Sequence, residues 1–329
     1  MATTTTIVPE AGPVSNSRSF LSRLRDGDEI ARAITFLFAG SVVLITVLVV
    51  FELWQGSVLP RHKFGLDFFV TRVWDPIFDQ FGALPFIYGT LVTASLALLI
   101  AVPLGLGAAI FLAELAPIRI SDTLEFFIDL LAAVPSVIYG LLGIFIVVPL
   151  MRQHVQPALK ETLGFLPLFQ GPAYGIGLLT AGIVLAIMVI PYIISVSREV
   201  LLSVPRDQRE AALALGATRW ESTWKVVVPF ARTGILGSIF LALARALGET
   251  MAVTMVVGNT PRISASLFSP GDSIASVIAA QFKEATGDLY LQSLIELGLV
   301  LFLLTFILNG LARLLIVITS RRSAGMGHA

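Results

Sequence analysis

The chain has 329 residues, of which 56% are hydrophobic and only 13% charged. Its mean hydropathy of +0.88 and its charge content, about half the 25% typical of soluble domains, exclude a soluble globular fold and indicate a polytopic membrane protein. Lys plus Arg equals Asp plus Glu at 22 each, leaving no basic excess to bind nucleic acid, and the absence of cysteine excludes disulfides and thiolate metal sites.

Residues 1–32 are polar and rich in Thr and Ser, and are expected to be a disordered cytoplasmic tail. The apolar run after them starts too late and runs too long for a cleaved signal peptide, so it is expected to stay as a helix. Six runs approach the roughly 20 residues that a bilayer requires: Ala33–Trp54, Pro85–Ala113, Leu124–Leu150, Tyr174–Val196, Phe230–Gly258 and Leu291–Ile318. The expected fold is therefore all-α with six transmembrane helices. Residues 33–84 hold the first span and an outer loop, and residues 85–329 a core of five spans. Pro103, Pro135, Pro149 and Pro191 fall within or at the ends of the runs, where they serve either kinks along a pathway or plain packing.

With the amino terminus inside, the inner segments carry fourteen Lys and Arg and the outer ones seven, Arg245 inside a span completing the total. The positive-inside rule then puts both termini in the cytoplasm. In the first outer loop, Phe68, Phe69 and Trp74 are mixed with Arg61, Lys63 and Arg72; two readings stand, a lipid-interface belt and a docking face for a partner. His62, His154 and His328 are too scattered for a metal cluster.

The one long inner loop covers residues 198–229, "REVLLSVPRDQREAALALGATRWESTWKVVVP". Pro205 suits a helix start, Asp207 the positive end of its dipole, and Gly216 a left-handed stop. Thr218 and Glu221 then form a T-x-x-E capping box for a second short helix that Pro229 is expected to end. The loop reads as a rigid helix, turn, helix, built either to dock a partner or merely to join spans.

Its residues carry a resemblance. Glu210, Ala211 and Ala212, three residues on Gly216, nine more Val226, then Val228 and Pro229 match the "EAA, x3, G, x9, I-x-L-P" pattern of permease subunits of binding-protein-dependent ABC importers, with Val-x-Val-Pro in place of Ile-x-Leu-Pro. The resemblance implies the MetI-like type I importer fold, and that Glu210, Ala211, Ala212 and Gly216 form the coupling helix that seats in an ATPase subunit. No Gly-Lys pair, hence no phosphate-cradling G-x-x-x-x-G-K-[S/T] loop, occurs in this chain. No bond chemistry is expected of it, and ATP and Mg would be bound by the partner.

In the fifth run Arg245 lies sixteen residues beyond Pro229, about 24 Å along a straight helix and near mid-membrane. A charge there must face protein or water. Glu249, four residues on, is expected on the same helix face, where the two partly neutralise each other, beside the small Ser238, Ala242, Gly248 and Ala252. Either the pair locks the bundle, or it borders a hydrated route whose cargo is an oxyanion matched to the guanidinium fork. Protonated phosphate can donate to Glu249, whereas sulfate is only repelled, which makes Glu249 a candidate selector. "RALGETMAVTMVVGNT" (residues 245–260) and "SLFSPGDSIASVIAAQF" (266–282) resemble the PstC-type phosphate permeases. That resemblance implies phosphate import across a bacterial cytoplasmic membrane, with a second permease of the PstA type, two PstB-type ATPases and an extracytoplasmic PstS-type binding protein as partners. Three rivals remain open: a secondary transporter or channel with Glu249 as proton relay, a permease for another oxyanion such as sulfate, and a structural membrane subunit. Beyond the fifth run, Asp272 or Ser273 is expected to cap a short helix through Phe282, with Ile274, Val277 and Ile278 turned inward as an outer gate. No H-E-x-x-H or G-x-S-x-G pattern suggests a hydrolase.

Overall fold

A computed structural model describes residues 28–325 of the chain. Residues 1–27 of the expected tail lie outside the described residues, and residues 28–32 already belong to the first helix, α1 (Asp28–Gly56). The chain divides within α1 into a unit ending at Glu52 and a second beginning at Leu53. In the second unit two short helices, α2 (Val58–Phe64) and α3 (Asp67–Val70), precede the next long helix. The remainder is α4 (Leu84–Leu115), α5 (Ile118–Ala132), α6 (Ser136–Leu163), α7 (Leu178–Leu202), α8 (Arg206–Ala214), α9 (Arg219–Gly248), α10 (Met251–Thr254), α11 (Ile274–Gln281) and α12 (Asp288–Gly325). Six helices, α1, α4, α6, α7, α9 and α12, are long and apolar enough to cross a membrane.

The core of the second unit is built around α7, the most buried of the six. On α4 a small residue returns every fourth position, Gly89, Thr93, Ala97, Ala101, Gly105 and Ala109, all buried. This stripe lets α4 lie close against α7, the way helices associate where the surroundings are as apolar as the side chains. A Cβ added at Gly105 would lie 2.8 Å from Ile193 Cγ2, so that approach excludes even alanine without a shift.

Two expected spans are corrected. The third, Leu124–Leu150, is broken at Ala133–Pro135, separating the amphipathic α5 from the apolar α6. Pro135 disfavours helical backbone at Val134 and, with ψ 140°, itself starts the next helix. The fifth, Phe230–Gly258, begins earlier, at Arg219, and stops at Gly248. The other four runs each fall on one helix with ends shifted by a turn or two. The expected stop at Pro229 is also overturned, because α9 runs straight through it. Residues Thr223–Val227 form a π-helical turn in which the Val228 N–H reaches back five residues to the Thr223 carbonyl. The same device recurs. Each of the four described π turns, Phe111–Leu115, Gly143–Val147, Met151–Val155 and Thr223–Val227, ends two residues before a proline, at 117, 149, 157 and 229. A proline supplies no N–H to the carbonyl four residues back and its ring clashes with it, and a wider turn relieves both problems.

In the segment between α1 and α4, Phe68 and Trp74 are buried, so these two side chains form neither a lipid belt nor a docking face. Trp74 packs edge-on against Phe81 and Phe86 at 4.9 and 5.0 Å. Its indole N–H and the Tyr290 hydroxyl both donate to Gln281 Oε1 at 2.9 Å, tying the loop to α11 and α12.

Candidate functional site

The inner loop folds as its local signals dictate. Pro205 (φ −56°, ψ 138°) precedes α8, Asp207 sits in its first turn, and the helix closes at Leu215. Gly216 follows at φ +86°, a left-handed conformation that glycine takes without penalty. The Thr218 hydroxyl accepts from the Glu221 N–H at 3.2 Å while the Glu221 carboxylate accepts from the Thr218 N–H at 3.0 Å, completing the capping box. Glu210, Ala211 and Gly216 are exposed on this elbow and Ala212 is buried under it. Leu215, at the tip, is 90% exposed. The four residues singled out from the sequence thus lie on one projection between the C-terminal end of α7 and the N-terminal end of α9.

Arg209, which the sequence reading did not single out, fastens that projection. Its Nε donates to both oxygens of Glu114 at 3.1 and 3.2 Å, its Nη2 to Glu114 Oε1 at 2.8 Å and to the Leu201 carbonyl at 2.7 Å, and its Nη1 to the Val204 carbonyl. A second inner cation, Arg198, is buried and donates to Glu125 and, at 3.1 Å, to Ser121, joining α7 to α5.

Arg245 and Glu249 are not brought together as expected. Helix α9 ends at Gly248, and Glu249 is extended (φ −70°, ψ 127°), so the two no longer share a helix face. Glu249 Oε1 accepts from the Ala252 N–H at 3.2 Å and caps α10. No Arg245–Glu249 ion pair forms among the described residues. Gly248, a poor helix former, and a carboxylate that serves the next helix start together explain the break.

Arg245 lies instead over the Tyr192 ring, its guanidinium carbon 4.1 Å from the centroid, a contact that holds a cation without neutralising it. The side chain is half-buried, and its Nε has no hydrogen-bond partner. Tyr192 donates its hydroxyl to the Ala132 carbonyl at 2.8 Å and Tyr139 to the Leu131 carbonyl at 2.7 Å. The break at Ala133–Pro135 leaves the Ala132 carbonyl to Tyr192, while the Leu131 carbonyl accepts from the Val134 N–H at 3.2 Å as well as from Tyr139. Arg245 therefore stands where α5 gives way to α6 and α9 to α10. Of the small residues expected beside it, Ser238 is bonded to Ser197 at 2.7 Å and Ala242 and Ala252 are buried, whereas Gly248 faces open space. Neither tyrosine could be found by motif, since each serves a break that only the folded chain reveals.

Beyond α10 the chain turns through Gly258 (φ +96°) and Asn259 (φ +46°) and packs non-helical backbone against the N-terminus of α7. The Gly177, Leu178 and Leu179 N–H groups donate to the Val256, Ser269 and Leu267 carbonyls, supplying the partners a helix start lacks. Ser273 caps α11, its hydroxyl accepting from the Ser276 N–H at 3.2 Å. Ile274 and Val277 are fully buried and Ile278 half-buried, matching the inward face expected there. Burial pushes the Asp272 carboxyl up to about 7, opposed by hydrogen bonds from Ser276 and the Ser273 N–H.

Residues 101–317 match the family described as "Binding-protein-dependent transport system inner membrane component". The chain is 45% identical, over 94% of its length and 97% of the other, to the phosphate transport system permease protein PstC of Mesorhizobium japonicum. It is 50% identical to the protein of that name from Pasteurella multocida, with 87% and 90% covered. Among solved structures, a chain of a bacterial alginate ABC transporter, in complex with alginate pentasaccharide-bound periplasmic protein, superimposes with a TM-score of 0.57 at 16% identity over 90% of this chain and 96% of that one. A chain of the MetNI methionine ABC transporter, in an inward-facing conformation, gives 0.53 at 15% identity over 75% and 99%. At those identities the structures establish the fold, which is that of the MetI-like ABC permeases.

Proposed function

This multi-pass membrane chain belongs to the family of binding-protein-dependent transport system inner membrane components, and from that premise we propose that it is the permease subunit of an ATP-driven phosphate importer. The observation that carries the cargo is the likeness, over nearly the whole chain, to phosphate transport permeases. The geometry adds a means. Arg245 is half-buried beside two helix breaks; its Nε is sealed in without a partner, and its outer guanidinium nitrogens are the donors that a passing oxyanion would meet. Glu249, one turn of chain away, accepts from protonated phosphate and repels sulfate. The elbow of Glu210, Ala211, Ala212 and Gly216 receives motion from the ATPase. This chain makes and breaks no bonds; ATP and Mg are held by two PstB-type subunits, a PstA-type permease completes the route, and a PstS-type protein delivers the anion from outside. Both termini lie in the cytoplasm of a bacterial cell.

The test is uptake of labelled phosphate by the complex reconstituted in vesicles. Uptake that requires ATP and the binding protein, and that excess sulfate leaves unchanged, is the expected result. Uptake without ATP would point to a secondary transporter, and equal competition by sulfate to a general oxyanion permease. Glu249→Gln in the same assay should narrow the preference for phosphate over sulfate; an unchanged preference removes Glu249 as selector.

A further inference from the structure

Glu114 is in an unfavourable place if read alone. It stands in the last turn of α4, where the helix dipole is negative and a carboxylate is repelled, and its side chain is only 10% exposed. Its compensation is Arg209, itself 20% exposed, which meets it through two nitrogens at 2.8–3.2 Å. The same guanidinium also takes up the Leu201 carbonyl, in the last turn of α7, and the Val204 carbonyl just beyond it. One planar fork thus binds three pieces of backbone: the coupling helix α8 that carries it, the inner end of span two and the inner end of span four. A cleft of about 370 Å³ between Glu114, Leu202, Arg206, Arg209 and Glu210 borders the contact. The exposed residue next in sequence, Glu210, belongs to the elbow that meets the ATPase.

Resting on the importer reading above, we infer that Glu114 and Arg209 form the joint through which movement of the coupling helix reaches spans two and four. They are positioning residues and touch no cargo. Span five needs no such joint, because after Thr218 it continues without interruption from Arg219 to Gly248. Spans two and four are joined to α8 through a short turn, whose Val204 packs against both, and through these side-chain bonds. A lysine at 209 offers one point charge and cannot hold all three partners together.

The experiment compares the wild-type complex with Glu114→Gln, Arg209→Lys and the double variant, reading phosphate imported per ATP hydrolysed by assembled complex. Because the ratio is taken per assembled complex, a variant with lower yield still reports. Each single variant is expected to go on hydrolysing ATP while its transport ratio falls about fivefold or more, and the double variant to be no worse than the poorer single. An unchanged ratio in both singles, or a double-variant loss equal to the product of the singles, overturns the joint. A second measurement does not depend on the cargo. The chain has no cysteine, so spin labels on Leu99→Cys in span two and Leu241→Cys in span five report an ATP-driven distance change. That change should be lost in Glu114→Gln; its persistence overturns the inference even if the transported anion proves not to be phosphate. Failure of wild-type phosphate uptake with the label result intact would sink the importer reading alone.

Discussion

Two arginines in one chain are held in opposite ways. Arg209, on α8, gives its donors to a carboxylate and to two carbonyls at and just beyond the end of α7. Arg245, at the depth of the helix breaks, has the face of Tyr192 beneath it and an Nε with no partner. A saturated guanidinium fixes elements to each other, because removing it strands every group it served. An unsaturated one in a costly position adds little to architecture, since a charge within a membrane is tolerated where water or a ligand completes its shell. On the function proposed above, the contrast separates a residue assigned to transmitting force from one assigned to meeting the cargo.

The contrast can be broken from either side. Arg209→Ala leaves the poorly exposed Glu114 without its cation, and should cost about 3 kcal/mol of stability, read as a lowered unfolding temperature of the purified protein. Tyr192→Phe keeps the ring under Arg245 but removes the donor to the Ala132 carbonyl, and should cost about 1 kcal/mol. Hydrogen exchange should then rise around Ala132–Pro135 and not at the inner elbow. Thr218→Ala removes one half of the capping box, also worth about 1 kcal/mol, and should loosen the elbow while leaving the breaks as they are. A further prediction, read against pH, concerns Asp272. Its carboxyl titrates near 7 in the folded chain, above its ordinary 3.8, so the folded form holds the proton more tightly. Its contribution to stability is therefore greatest below the ordinary value and is lost as the pH rises toward 7. Between about pH 5 and about pH 8 the wild type should lose more stability than Asp272→Asn, measured by thermal unfolding at both values.

Legibility in the sequence followed the range of the interactions. The number of spans and the inner elbow could be read because hydropathy, a proline start, a glycine stop and a capping box act within a few residues. The same applies to Ser273, whose cap is local. The break at Pro135 was marked by its proline but was outweighed by the apolar run around it. The continuation of α9 through Pro229 was misread because a π turn depends on the widened backbone and not on any residue type. Pairing Arg245 with Glu249 assumed a helix that persists past Gly248, and the carboxylate is used by the following helix start instead. Glu114 and Arg209 are 95 residues apart, and no local pattern links them; an acidic residue at the negative end of a span was the one available hint.

Whether Arg245 is kept for the cargo or for the fold is decided by one paired measurement. Arg245→Ala is purified beside the wild type, its unfolding temperature is recorded, and ATP-driven uptake of labelled phosphate is measured per assembled complex. The prediction is an unfolding temperature close to that of the wild type with uptake reduced at least about tenfold, the equivalent of losing one charge-assisted hydrogen bond of about 1.5 kcal/mol. A strongly lowered unfolding temperature with uptake per complex retained would contradict it and make Arg245 a structural residue.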